Sequence, residues 1–236
     1  MNTDSLTQVS GAEPVEAARD ARTRARRRQL LAAAVKVLQG KGSEQMSMQS
    51  VAQEAGVSVG LIYRYFANKE EVLRSVIVGV LEDIEARVPA AILAAGTDPV
   101  DRVAAGFDAY CRVIAENSEA AVITYRESSR LSAENRKVIK DLEMASVKPL
   151  SQATQDAVDA GLFAPVDVDL FAYNLVLLAH GWALKSWYFQ PQHTVDSYIS
   201  GQLALVLSAA LAPEHHTEYS RLSSSHRRNT GSTRIQ

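Results

Sequence analysis

Two short stretches of this chain hold residue types that can do chemistry. "RDARTRARRR", Arg19 to Arg28, sets six arginines around one aspartate. Guanidinium groups stay charged and present forked donors that match phosphate oxygens. Such a run can grip a phosphate backbone and, as a flexible arm, reach a minor groove; it also describes the solvated start of a charged helix. The second stretch is "AQEAGVSVGLIYRYFANKEE", Ala52 to Glu71. Two helices joined by a tight turn need a small residue where they cross, a residue tolerant of positive φ in the turn, and apolar anchors behind the second helix. Ala52, Gly56 and the set Val51, Ala55, Val57, Ile62 and Phe66 meet those needs. In a helix-turn-helix the second helix enters the major groove by its N-terminal residues. Ser58, Val59, Gly60 and Leu61 then face base edges. They are poor at bidentate hydrogen bonding, so readout leans on Tyr63, thymine methyl groups and DNA shape, shared with Arg26, Arg27, Arg28 and Gln49.

The charge distribution agrees with a nucleic-acid partner at one end only. The chain carries a formal net charge of −2, yet residues 19 to 76 hold eleven Lys/Arg against five Asp/Glu. The remainder is therefore acidic. A single cysteine, Cys111, excludes an internal disulfide framework and a multi-cysteine zinc site, and reads as a core residue in a reducing compartment. The N-terminal stretch has no apolar h-region of a signal peptide. The longest apolar run, Leu170 to Phe189, carries Asn174, His180, Lys185 and Ser186, a set that a bilayer-spanning helix rarely tolerates. The expectation is a cytoplasmic protein with no membrane partner.

The elements that must position these residues are helical throughout. Apolar residues recur at three and four positions and no stretch alternates with period two, so the fold class is all-α. Helix one is expected from about Thr23 to Gln39, ended by "GKG" at 40 to 42; helix two opens at Ser47, a good N-cap, and breaks at Gly56. Ser58 caps a third helix. Asn68 with Glu71 at N3 starts a fourth, long helix reaching about Arg87. Four or five further helices follow, with Asp98 and Pro99 at the start of one and Pro149 marking a kink or boundary in another. "DLFAYNLVLLAHGWALKSWYF" is apolar nearly all round and requires covering protein on most sides. Residues 1–18 and 213–236 are polar and aperiodic and are expected to be disordered. Between them lie a DNA-binding domain at 19–68 and a larger helical domain at 69–212.

"MQSVAQEAGVSVGLIYRYFANKEEVL" closely resembles the DNA-binding segment of TetR-family transcriptional regulators, down to the aromatic pair, the F-x-N-K turn and the leucine after it. The resemblance is specific over about residues 25 to 75. It implies an N-terminal three-helix helix-turn-helix domain and a larger helical ligand-binding and dimerisation domain. By the same resemblance Tyr63 looks like a base or phosphate contact, and Tyr65, Lys69 and Ser47 look like phosphate contacts, Ser47 at a helix N-terminus. Arg64 occupies a variable position with a charge suited to a phosphate.

The resemblance also implies a pocket in the larger domain. Phe107, Tyr110, Met144, His180 and Trp182 are the expected apolar and aromatic lining, with Arg126 and Arg130, one turn apart, as a cationic rim. Such a cavity suits a small amphipathic organic effector, for instance a fatty acid or acyl-coenzyme A. Structural pairing of these arginines with Glu127, Asp141 or Glu143 is the alternative. The all-round apolar helix near 170–189 and the small-residue face Ser197, Gly201, Ala204 and Ser208 imply an intersubunit four-helix bundle. A homodimer then meets a pseudo-palindromic double-stranded operator. No glycine-rich phosphate loop, nucleophile elbow or His/carboxylate cluster with ligand spacing is present, so no catalytic residue, metal or cofactor is expected. An architectural DNA-binding protein and an α-helical enzyme are the competing readings.

Overall fold

Amphipathic periodicity of about 3.6 residues runs along most of the chain, and each such segment is a helix in the computed structural model, which describes residues 12–223. The chain divides into two compact units, Met1–Ser75 and Val76–Gln236. The boundary expected between residues 68 and 69 thus falls a few residues later, inside a helix.

The first unit holds α1 (Ala12–Gln45), α2 (Met48–Ala55), α3 (Val59–Tyr65) and the opening of α4 (Lys69–Ala94). Leu30, Ala33, Ala34, Val37 and Leu38 form the buried face of α1, against which α2 packs. Val51 and Ala52 on α2, Ile62 on α3, and Phe66, Val72 and Leu73 complete the core. Helical geometry in α1 breaks at Gly42, with φ 71° and ψ 172°, where the "GKG" stop was expected. Its start differs: the arm expected to be disordered over residues 1–18 is helical from Ala12, because alanine, glutamate and arginine are strong helix formers. Residues 1–11 lie outside the described residues.

The second unit comprises the rest of α4, then α5 (Pro99–Glu116), α6 (Ser118–Glu127), α7 (Ala133–Asp159), α8 (Val168–Leu184), the short α9 (Ser186–Phe189), α10 (Val195–Ala210) and α11 (Ser220–Ser223). Helix α5 is central. Val100, Val103, Phe107, Tyr110 and Ile114, spaced by threes and fours, are fully buried, and α7, α8 and α10 pack around them. Gly106 permits the closest approach: a Cβ there would meet Leu150 at 2.8 Å and Ile92 at 2.9 Å. Asp98 caps α5 as expected, its Oδ1 accepting from the Val100 and Asp101 N–H groups. Pro89 and Pro149 end neither α4 nor α7. Buried neighbours on both sides, Val88 and Ile92 in one case and Val147 and Leu150 in the other, hold each helix through its missing hydrogen bond.

The C-terminal segment expected to be disordered from residue 213 is instead docked as far as Ser223. The Tyr219 ring is buried, its hydroxyl donates to Asp98 Oδ2 at 2.8 Å, and Arg221 pairs with Asp101. One aromatic anchor among polar residues suffices to order this stretch, which a compositional reading overlooks. Among the described residues no helix is long and apolar enough to cross a membrane.

Candidate nucleic-acid interface and ligand cavity

The turn of the first unit is built by local hydrogen bonds that the residue types dictate. Ser47 and Ser50 cap α2 reciprocally, Ser47 Oγ accepting from the Ser50 N–H and Ser50 Oγ from the Ser47 N–H. Gly56 ends α2 in the left-handed region at φ 66°, and the Val57 N–H returns to the Ala52 carbonyl. Ser58 accepts from the Leu61 N–H to start α3 at once. Asn68 accepts from the Glu71 N–H while Glu71 accepts from the Ala67 N–H, which fixes the entry into α4.

These constraints leave one side of α3 free. Ile62 is buried and Val59, Leu61 and Tyr65 are half-buried, whereas Ser58, Gly60, Tyr63 and Arg64 are exposed, Tyr63 by 56%. Gly60, Tyr63 and Arg64 stand at i, i+3 and i+4 and share a face. A Cβ at Gly60 would meet nothing within 4 Å. Glycine inside a helix costs about 1 kcal/mol relative to alanine, so its absence of side chain has no reason within this fold and suits close approach by another molecule. Ser47, Gln49 and Lys69 are exposed as well.

The arginine run separates in structure. Arg28 is exposed, and Arg26, also exposed, donates to Gln29. Arg27 turns inward: its guanidinium lies 5.7 Å from the Phe66 ring centroid and donates to Ser75 Oγ at 2.9 Å. Arg27 thus packs inward and is half-buried, apart from its exposed neighbours Arg26 and Arg28. Arg27→Ala is expected to cost this unit about 1–2 kcal/mol, and Arg28→Ala close to nothing; chemical denaturation of both variants checks this, and equal midpoints would refute the assignment.

The second unit contains a partly open cavity of about 270 Å³. Ile77, Val80 and Leu81 of α4, Ala121 of α6, Ile139 of α7 and Leu177 of α8 make its apolar wall. Two hydrogen-bonded pairs face it. Tyr125 Oη and His180 Nδ1 are 3.1 Å apart, and Tyr173 donates to Glu143 Oε1 at 2.7 Å. That bond, then burial, pushes the Tyr173 phenol up to about 12. Burial raises Tyr125 too, with the Glu143 charge adding to it. Burial alone lowers His180 to about 4, so its imidazole is neutral near pH 7. Arg136 and Lys140 supply the positive charge. An apolar chamber with a few fixed polar groups and two cations can hold a small amphipathic molecule.

Of the lining expected from sequence, only His180 lines the cavity. Phe107 and Tyr110 lie one layer deeper, fully buried in the core of α5, with Tyr110 edge-on to His180. Trp182 is buried against Tyr198, and Met144 belongs to a separate open groove beside Val147 and Tyr173. Arg126 is exposed and lines neither space; Arg130 pairs with Glu127, the structural alternative. The rim cations Arg136 and Lys140 did leave a trace in sequence: Arg136, Ile139, Lys140 and Glu143 mix charge and apolarity on one helical face. No such trace marks Tyr125 with His180, because the packing of α6 on α8 unites residues 55 apart. Among the described residues, no group of three metal-ligating side chains gathers; His215 pairs with Glu218 and His216 with the Leu211 carbonyl.

Comparison with known proteins extends over both units. The family model for bacterial regulatory proteins of the tetR family matches residues 30–76, and that for the tetracyclin repressor-like C-terminal domain matches residues 96–191. The HTH-type transcriptional regulator HbdR of Aromatoleum sp. (strain CIB) is 33% identical over 192 residues, covering 81% of this chain and 83% of that protein. The HTH-type transcriptional repressor KstR2 of Mycobacterium tuberculosis is 28% identical over 186 residues, 77% and 91% of the two chains. The solved structure of the ketosteroid transcriptional regulator KstR2 of Mycobacterium tuberculosis superposes with a TM-score of 0.66 at 25% identity over 79% of this chain and 95% of that one. AibR, solved with isovaleryl coenzyme A and operator DNA, shares the fold at a TM-score of 0.66 and 22% identity, covering 78% and 99%.

Proposed function

From the premise that this chain belongs to the tetR family of bacterial regulatory proteins, we propose that it is a cytoplasmic, homodimeric transcriptional repressor. It binds a pseudo-palindromic operator and is released by a small amphipathic organic ligand. Ser58, Val59, Gly60, Leu61 and Tyr63 meet base edges, with Gln49 beside them. Ser47, Arg64, Tyr65, Lys69, Arg26 and Arg28 meet phosphates. The exposed i, i+3, i+4 face of Gly60, Tyr63 and Arg64 supports this reading.

The observation that carries the regulatory part is α4. Its opening turn is locked to Ala67 and Asn68, in the turn that follows α3, by the Asn68 and Glu71 hydrogen bonds, and further along the same helix Ile77, Val80 and Leu81 line the cavity. A ligand that repositions those three residues acts on the helix whose first turn follows the helix-turn-helix in the chain. Release follows provided that the ligand binds the non-DNA state more tightly. The cavity volume, near the low end for ligand sites, fits an acyl chain or a compact ring system, with Arg136 and Lys140 taking a carboxylate or phosphate. An open chamber also favours a sensor over an architectural DNA-binding protein, whose core would be filled.

Dimerisation is assigned to α8 and α10. Leu170 of α8 and Leu205 of α10 are 61% and 67% exposed, apolar surface that a second copy would cover. Selection of bound sequences from random duplex DNA by the purified protein tests the proposal. An enriched inverted repeat is the expected result, and no enrichment by a folded dimer would overturn it.

A further inference from the structure

We infer that the N-terminal extension of α1 is a second nucleic-acid-binding element: a helical rail that lies along the phosphate backbone flanking the recognition helix and adds affinity without reading bases. This inference rests on the DNA-binding function proposed above. The helix begins at Ala12, and from Ala21 onward its first buried residue is Leu30. Arg19 and every residue from Ala21 to Gln29 except Arg27 is exposed. Arg19 to Leu30 therefore spans about 16 Å of helix at 1.5 Å per residue with almost nothing packed on it.

The register of the arginines shows what this helix is shaped to meet. Leu30, Ala33 and Val37 are on the line along which α1 buries itself against α2. Followed backwards by steps of three and four, that line passes through Arg26, Arg22 and Arg19. The face that is apolar over the three-helix core turns cationic where the core ends, so the surface beneath changes from protein to something anionic. Arg24 and Arg28 form a second row on the opposite side, roughly 170° away at 100° per residue. Like charges at i, i+4, here Arg22 with Arg26 and Arg24 with Arg28, weaken a helix by a few tenths of a kcal/mol each. No salt bridge joins these five arginines to a carboxylate from Ala21 onward. A polyanion satisfies both rows together. A helix about 10 Å across is too thick for a minor groove about 6 Å wide, which confines the rail to phosphates.

The triple variant R19Q/R22Q/R24Q tests the charge, and Ala25→Pro tests the helix, because proline there breaks the rail while keeping all six arginines. Operator binding by the full chain is measured between 50 and 300 mM salt. For the triple variant, affinity near 0.15 M salt is expected to fall tenfold or more, and the slope of log K against log salt by about 2–3 for each bound protomer, at about 0.9 per lost phosphate contact. The selected base sequence is expected to stay the same. Ala25→Pro is expected to lose a comparable part of the affinity with an unchanged melting temperature, since proline is accommodated in the first turn of the helix that remains, ahead of Arg27 and the buried face. Wild-type affinity and slope in the triple variant, in a protein that still selects its operator, would overturn the rail alone. A wild-type affinity for Ala25→Pro would show a flexible tether in place of a rigid helix and would equally overturn it. Failure of the unaltered protein to select any sequence would remove the DNA-binding reading itself.

Discussion

Replacing Tyr63 and Lys69 together by alanine is expected to lower operator affinity about 100-fold near 0.15 M salt while leaving the unfolding midpoint in place. Tyr63 is the most exposed aromatic residue of the first unit, on the same face of α3 as Gly60 and Arg64, and Lys69 is exposed at the start of α4. Neither supports the core, so the stability change stays within about 0.5 kcal/mol. A base-edge contact is worth about 1–3 kcal/mol and a lost phosphate contact lowers the salt slope by about 0.9. The two signatures therefore separate: Tyr63→Ala should relax the selected sequence, and Lys69→Ala should flatten the salt dependence with the sequence unchanged. Fluorescence anisotropy on a labelled operator reads both. Undiminished affinity in the double variant would eliminate α3 as the contact surface.

Acid is expected to destabilise the second unit through His180. Its imidazole sits between the rings of Tyr110 and Tyr125, and burial pushes its pKa down to about 4, against about 6.5 in an unfolded chain. Above pH 6.5 both states hold it neutral and it contributes no pH dependence. Between pH 6.5 and 4 the unfolded chain takes up a proton that the folded one refuses, so stability falls as pH falls. The loss reaches roughly 3 kcal/mol by pH 4. Denaturant unfolding at pH 7.5 and pH 4.5 should therefore show a larger drop for the wild type than for His180→Gln, which preserves a polar partner for Tyr125. Equal drops would mean that His180 is not held neutral by its surroundings. The same neutrality bears on ligand choice, because the positive charge available to an anionic ligand at pH 7 then comes from Arg136 and Lys140.

Much of this protein is decided locally and can be read residue by residue. The all-α class follows from apolar spacing, and the helix-turn-helix from Ala52, Gly56 and Ser58, each of which forms the turn, cap or crossing that its type demands. The caps at Ser47, Asn68 and Asp98 likewise depend on neighbours within four residues. Local hydrogen bonds and backbone preferences are complete in such short windows, so no distant part of the chain can overrule them cheaply. The family resemblance extends over the same local segment, and the matches to relatives carry it through the second unit.

Tertiary packing decided the rest. Arg27 is indistinguishable in sequence from Arg26 and Arg28, and only the ring of Phe66 and the hydroxyl of Ser75 draw it inward. Phe107 and Tyr110 have the right chemistry for a ligand wall but fill the core, because α5 is surrounded by three helices and leaves them no free face, and Trp182 of α8 is buried against Tyr198 of α10. The cavity forms where α4, α6, α7 and α8 meet, and its polar pairs join residues 30 and 55 positions apart. Helical periodicity tells which residues point inward; it does not tell which inward residues find a neighbour and which find a void, since that depends on how several helices cross.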